Sequence, residues 1–201
     1  MTITYRVESG LYVNITNQCT NQCDFCIRQN GDGAYGSDSL WLEREPSREE
    51  ILAAILAEDI ETYSEIVFCG YGEPTCRLDD MLWVCKEIRK HTEKPIRLNT
   101  NGQSSLLYGR DTAPEFAGCF DAISISLNES TAKKYDAICH SAFGEDAFYG
   151  ILDFARKVKA HVPQVVLSVV RQFLSTESLE ECKRICGEIG VPIKIREYIS
   201  G

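Results

Sequence analysis

Three cysteines stand close together in the run Cys19-Thr20-Asn21-Gln22-Cys23-Asp24-Phe25-Cys26. Spaced CxxxCxxC, their thiolates can wrap one cuboidal iron-sulfur cluster. Such clusters normally take four cysteine ligands, so three leave one iron with an open position for a cofactor or substrate. A structural zinc site is the alternative reading, and it needs a fourth ligand. His91, His140 and His161 show no spacing that pairs them with this run. Cys182 and Cys186 could complete a zinc set, but they lie one turn apart in an amphipathic helical pattern, where cysteine commonly packs as a small hydrophobe. Cys69, Cys76, Cys85, Cys119 and Cys139 are scattered, and no cysteine-rich extension follows before Gly201. One cluster is therefore expected.

A second chemically suggestive stretch is Phe68-Cys69-Gly70-Tyr71-Gly72-Glu73-Pro74. Gly70 and Gly72 permit close backbone approach to a ligand, and Pro74 stiffens the turn. Between the two motifs runs a loop-like segment, Gln29 to Ser39, carrying Gly31, Gly33 and Gly36. Long irregular segments in compact domains are commonly functional. Arg28, Asn30, Asp32, Tyr35 and Trp41 lie in or beside it and are expected to grip the substrate, Arg28 and Asp32 first.

These residues need elements to carry them. Short β-branched or apolar runs at Leu11 to Ile15, Glu65 to Cys69, Ile96 to Asn99, Ala122 to Leu127, Val165 to Val170 and Ile193 to Tyr198 read as six strands. Helical patterns alternate with them: Arg48 to Tyr63 with a Ser47/Glu50 capping box, Asp80 to His91, Glu145 to His161, and Ser178 to Ile189 stopped by Gly190. Strand-helix alternation implies an α/β fold with a parallel sheet, right-handed crossovers and outer helices. Six units curling without closing give a partial (βα)6 TIM-like barrel; a flat doubly wound sheet is the alternative. In a barrel, chemistry sits at the carboxyl ends of the strands, which is where both motifs fall.

The 201 residues, 44% of them hydrophobic, suit one domain spanning 1–201 and one core. A formal charge of -9 and the lack of a Lys/Arg run disfavour direct nucleic-acid binding. The N-terminus lacks the apolar centre of a signal peptide, and no stretch approaches the roughly 18 apolar residues of a membrane span. A cytoplasmic protein with reduced thiols, and no membrane partner, is expected.

The CxxxCxxC run with Phe25 before its last cysteine resembles the motif of the radical S-adenosylmethionine (radical SAM) superfamily. Gly70-Tyr71-Gly72-Glu73-Pro74 resembles that family's Gly-Gly-Glu-Pro element. Asn99, Thr100 and Asn101 after the third expected strand, and Ser124, Ser126 and Asn128 along the fourth, resemble its cofactor carboxylate and ribose contacts; many members carry Asp where Asn128 stands. Arg171 and Tyr198 occupy positions where members often touch the methionine carboxylate and the adenine. The resemblance implies a 4Fe-4S cluster on Cys19, Cys23 and Cys26. S-adenosylmethionine would chelate its open iron, with backbone carbonyls of the glycine turn accepting from the methionine ammonium. Reductive cleavage would yield methionine and a 5'-deoxyadenosyl radical that abstracts hydrogen from a substrate. An electron donor such as a flavodoxin or ferredoxin is implied as partner. The block from Tyr12 to Ser47, with the GYGEPT loop and Arg97-Leu98-Asn99-Thr100-Asn101-Gly102, is similar to the TatD-associated radical SAM proteins, a group whose reaction is undefined.

Two substrate classes compete. An incomplete barrel leaves a wide opening suited to a protein or peptide, as in the activases that make glycyl radicals. A small molecule is the alternative, as in 7-carboxy-7-deazaguanine synthase. A non-catalytic module sensing iron or S-adenosylmethionine stands apart from both, and cofactor cleavage separates it from them.

Overall fold

The computed structural model describes residues 1–198, so the last three positions of the domain expected over 1–201 lie outside the described residues. Its sheet has seven strands in strictly sequential order: β1 (Thr4–Val7), β2 (Gly10–Val13), β3 (Glu65–Phe68), β4 (Ile96–Thr100), β5 (Ala122–Ser126), β6 (Gln164–Val170) and β7 (Ile193–Arg196). β2 to β7 run parallel, and β1 folds back antiparallel on β2. Sequential order without reversal removes the switch point that a doubly wound sheet requires. Residues from β1 (Tyr5) and from β7 (Arg196) line one common cavity, so the sheet curls into an open arc.

Strand alternation sorts the two faces of this arc. Leu11, Val13, Ile66, Phe68, Leu98, Ile123, Ile125, Leu167 and Val169 are fully buried in one apolar core with the helices. The intervening residues Tyr12, Arg97, Asn99, Ser124, Ser126, Lys194 and Arg196 face the cavity. A complete barrel fills its interior with side chains; this arc keeps a polar inner wall around open space.

The helices are α1 (Arg48–Leu56), α2 (Leu78–Ile88), α3 (Ser104–Tyr108), α4 (Ala132–Cys139), α5 (Asp146–Val158) and α6 (Thr176–Ile189). The expected capping box opens α1: Glu50 N–H donates to Ser47 Oγ at 3.2 Å and Ser47 N–H donates to the Glu50 carboxylate at 2.8 Å. α1 stops at Leu56 instead of reaching Tyr63, and Glu58 just beyond it accepts from Thr4 Oγ1 and Tyr63 Oη, both at 2.9 Å. α3 and α4 are additions to the sequence expectation. Both are short, and both end on left-handed residues, Gly109 and His140. No helix among the described residues is long and apolar enough to cross a membrane.

Candidate active site at the mouth of the open barrel

The cysteine loop follows β2, and its backbone is held by the end of α4. Gln22 N–H donates to Cys139 O at 2.9 Å, Asp24 N–H to Ile138 O at 3.0 Å, and Ala142 N–H to Thr20 O at 2.8 Å. A helix's last carbonyls need partners from outside the helix, and here the cysteine loop supplies two of them.

Side chains complete the anchorage. Tyr135 Oη, on fully buried Tyr135, accepts from Asn21 Nδ2 and Gln103 Nε2, each at 2.9 Å. Gln103 Nε2 also donates to Asn21 Oδ1 at 3.0 Å, and Gln103 Oε1 accepts from Thr20 Oγ1 at 2.8 Å. Asn101 Nδ2 donates to Thr20 Oγ1 at 2.8 Å, while Asn101 Oδ1 accepts from Gln103 N–H at 3.1 Å. This network fixes the cysteine loop against the end of β4, pairing buried polar groups with one another. Asn21, Gln103 and Tyr135 were not among the sequence candidates. They are neutral side chains distant in sequence, and no local pattern marks them.

The turn after β3 is bracketed by Glu73, which is 6% exposed. Its Oε1 accepts from Thr100 Oγ1 at 2.6 Å, Thr75 Oγ1 at 2.7 Å and Thr75 N–H at 3.1 Å, and its Oε2 accepts from Asn101 N–H at 2.7 Å. Burial raises the Glu73 carboxyl above the ordinary carboxylate range, and these four donors pull the other way. Glu73 and Thr100 thus bond each other. The two glycines also admit a close approach within the chain. A Cβ on Gly70 would sit 2.1 Å from Asn14 Oδ1, and one on Gly72 would sit 2.3 Å from the Thr16 carbonyl oxygen. It is the chain's own β2 end and cysteine loop that need the space. Asn14, fully buried, locks this junction by donating to Leu40 O at 2.7 Å and accepting from Tyr71 N–H at 3.2 Å.

These elements enclose a cavity of about 520 Å³, within the usual size of ligand sites. Cys19, Cys23 and Cys26 line it together with Phe25. Cys19 is exposed, and Cys23 and Cys26 are half-buried. The Cys23 thiol is held far above the ordinary thiol range by its hydrogen bond with Cys139 and by burial. Gly70, Gly72, Glu73 and Pro74 supply the next stretch of wall, followed by Asn99, Thr100 and Asn101, then Ser124, Ser126 and Asn128. Asn128 is left-handed at φ 57°; its Nδ2 lies 3.8 Å from Cys139 Sγ, and its buried Oδ1 has no hydrogen-bond partner. Tyr198 closes the far side, its ring 5.3 Å from Phe173, which stacks at 4.9 Å on Phe25.

Several candidates fall elsewhere. The strand ends at Val170, and Arg171 begins a 3-10 turn in which its guanidinium folds back to Leu174 O at 3.0 Å; it does not line the cavity. Of the five residues expected to grip a substrate, Tyr35 lines the wall. Arg28 donates to Asn17 O at 3.3 Å and lies 5.7 Å from the Trp41 ring centre. Trp41 packs edge-on against Tyr71 at 5.1 Å. The Asp32 carbonyl accepts from Leu40 N–H at 2.6 Å, and Asn30 Oδ1 accepts from Tyr198 Oη at 3.1 Å. The glycine-rich segment is therefore pinned over the β1–β2 hairpin by Ala34 and Leu40, which are buried with Tyr5, Val7 and Tyr71. Cys85, Cys119, Cys139, Cys182 and Cys186 are all buried in the apolar core.

Among the described residues no three thiol, imidazole or carboxylate groups converge on a single metal ion. A cuboidal cluster asks for something else, thiolates spread around its corners. Three thiols around one cavity, with Asn128 and its unpartnered amide oxygen in the same wall, suit a cluster with a polar cofactor beside it.

The fold and site thus define an open α/β barrel that carries a three-thiol loop at its carboxyl mouth. The chain belongs to the radical SAM superfamily, whose model matches residues 13–188. The enzymes of this family use a 4Fe-4S cluster and S-adenosylmethionine. Among curated proteins it is 25% identical over 192 residues to a "Probable GTP 3',8-cyclase" of Methanocaldococcus jannaschii, covering 94% of this chain and 59% of that one. It is 26% identical over 190 residues to the "Tungsten-containing aldehyde ferredoxin oxidoreductase cofactor-modifying protein" of Pyrococcus furiosus, covering 90% and 49%. The chain thus spans about half the length of the curated relatives it matches. In fold it is similar to Streptococcus suis SuiB bound to precursor peptide SuiA, with a TM-score of 0.69 and 18% identity over 95% of this chain and 39% of that one.

Proposed function

We propose that this chain is a radical SAM enzyme acting on a protein or peptide substrate presented at the open side of the barrel, between β1 and β7. The observation that carries this reading is that Cys19, Cys23 and Cys26, the Glu73 turn, Asn128 and Tyr198 line one cavity. With its cluster and cofactor bound, the protein would gain one-electron cleavage of S-adenosylmethionine to a 5'-deoxyadenosyl radical that removes hydrogen from the substrate. Cys19, Cys23 and Cys26 would hold the cluster, and burial would set its potential. Asn128 Oδ1 can accept from a ribose hydroxyl. Asn99 and Ser124 offer polar contacts along the wall, and the rings of Phe25 and Tyr198 supply its apolar part.

The peptide class is supported by the open side of the arc and by the likeness in fold to SuiB, which is bound to a precursor peptide. A small-molecule substrate is the second reading, favoured by the relative named as a GTP cyclase. Within the family, the block from Tyr12 to Ser47 supports a place among the TatD-associated proteins. A flavodoxin or ferredoxin as electron donor, a single radical SAM domain and a cytoplasmic setting complete the proposal.

The test is anaerobic reconstitution followed by iron and sulfide counting, then an assay of 5'-deoxyadenosine after dithionite and S-adenosylmethionine are added. The expected result is about four irons per chain, with iron and cleavage both lost in the Cys19, Cys23 and Cys26 to Ala triple variant. A full cluster with no cleavage, even with candidate peptides present, would favour the sensing module. Bound zinc would sink the proposal.

A further inference from the structure

Arg196 stands at the end of β7, opposite Val170 of β6, and shares the inner face of its strand with Lys194. Its side chain lines the cavity, and its Nε is buried with no hydrogen-bond partner. Its Nη2 reaches Ser126 Oγ only at 3.5 Å, too long for a strong bond. Among the described residues no carboxylate forms an ion pair with it. The adjacent acid, Glu197, is bonded to Gln172 Nε2 instead.

The contrast with Arg97, on the same inner wall, is informative. Arg97 donates to both Glu65 oxygens, at 2.9 and 2.7 Å, and to Asn99 Oδ1 at 2.7 Å. Its charge is neutralised and its fork is filled. In a chain of net charge -9, Arg196 keeps a desolvated, unpaired guanidinium facing the cavity. Burying a charge without a partner costs several kcal/mol, a cost relieved when an anion arrives. A guanidinium presents a planar fork that matches a carboxylate with two parallel hydrogen bonds.

We propose that Arg196, with Ser126 beside it, is the binding site for a carboxylate group of the substrate, so that the substrate class is a carboxylate-bearing molecule or an acidic peptide side chain. This rests on the radical SAM reading for the word substrate, whereas the anion site stands on the geometry of β5 and β7. Arg196 was not a sequence candidate; Arg171, which was, folds away from the cavity.

The experiment is calorimetric titration of anaerobic, reconstituted protein saturated with S-adenosylmethionine. Succinate is the probe, its neutral diamide succinamide the control, and ionic strength is held constant. Succinate should bind saturably and succinamide should not. Arg196→Gln should weaken succinate at least tenfold and Arg196→Lys by less, with circular dichroism confirming that both remain folded. Should Arg196→Gln misfold, Arg196→Lys with its charge kept and its fork removed carries the comparison. Equal succinate affinity in wild type and variants, or no saturable binding, overturns the proposal. Tighter binding of inorganic phosphate than of succinate overturns the carboxylate assignment. If the variants lose S-adenosylmethionine affinity instead, the carboxylate held is the cofactor's own, and the proposal again falls. A wild type that binds succinate through Arg196 yet releases no 5'-deoxyadenosine retains the anion site and rejects the radical reading.

Discussion

Gly72→Ala tests whether the turn after β3 and the cysteine loop form one packed unit. The added Cβ would stand 2.3 Å from the Thr16 carbonyl oxygen and 2.6 Å from that of Gln18, where ordinary contact begins near 3.4 Å. Both obstacles are backbone atoms, so neither can swing aside as a side chain would. The loop that leads into Cys19 must retreat by about 1 Å, and the Glu73 N–H to Gln18 O bond of 2.7 Å is strained with it. Overpacking of this kind costs about 1–3 kcal/mol, and a weakened backbone bond adds about 1 kcal/mol. For a chain of this size each kcal/mol lowers Tm by about 2–4 °C, so a fall of about 5–15 °C is expected. Thermal unfolding by circular dichroism on the metal-free protein measures it, and iron bound after reconstitution should fall in parallel. Gly187→Ala is the counterpart: Gly187 lies in α6 with nothing within 4 Å of its would-be Cβ, and helix propensity should stabilise the variant by about 0.5–1 kcal/mol. If Gly72→Ala melted within a degree of wild type and bound the same iron, the close approach argued here would be wrong.

Three further outcomes follow from the same contacts. Tyr135→Phe leaves Asn21 Nδ2 without its buried acceptor and deprives Gln103 Nε2 of one of two, a cost of about 1–3 kcal/mol readable in urea unfolding, with lower cluster retention as a separate readout. Glu73→Gln can present only one oxygen to donors on both sides, so either the threonines or the Asn101 N–H lose their acceptor. Relief of the buried charge offsets part of this, and a net loss of about 1–3 kcal/mol is expected by the same assay. The Glu65 carboxyl is held below the ordinary carboxylate range by its hydrogen bonds to Arg97. A lowered folded pKa contributes stability above the unfolded value, near 4.5, and that contribution is lost as pH falls through the folded one. The stability gap between wild type and Glu65→Gln should therefore be present at pH 7 and shrink steadily below about pH 4.5; a gap unchanged at pH 3.5 would count against the pair.

Much of this architecture is legible in the residues. Apolar runs separated by helical periods announce the six parallel strands, because strands buried on one face and lining a cavity on the other still carry β-branched residues at a period of two. The Ser47/Glu50 box and the Gly190 stop mark two helix ends, since capping is a local event. β1 leaves no local mark, because Thr4 to Val7 is short and half polar; its strand character comes from pairing with β2, which no local preference reveals. α4 escaped notice because Ala132 to Cys139 is only two turns long, although Thr131 at its start accepts from Lys134 N–H. At the site, the three thiols and the glycine turn are recognisable by spacing. The Asn21–Gln103–Tyr135 network is not, because its members meet only when β4 and α4 are folded against the loop. The same reason separates Arg171 from Arg196: resemblance to the family suggests the first, whereas the pairing of β6 with β7 brings the second to the wall.

The hold of α4 on the cysteine loop sets an order of events during synthesis. Cys19, Cys23 and Cys26 emerge early, but the carbonyls of Ile138 and Cys139 that fix their loop lie more than a hundred residues downstream. At usual elongation speeds that is a delay of about 5–25 s, during which three thiols are exposed on an unanchored segment. Once α4 arrives, its last two carbonyls take up the Gln22 and Asp24 N–H groups and tie the loop's backbone to the helix end.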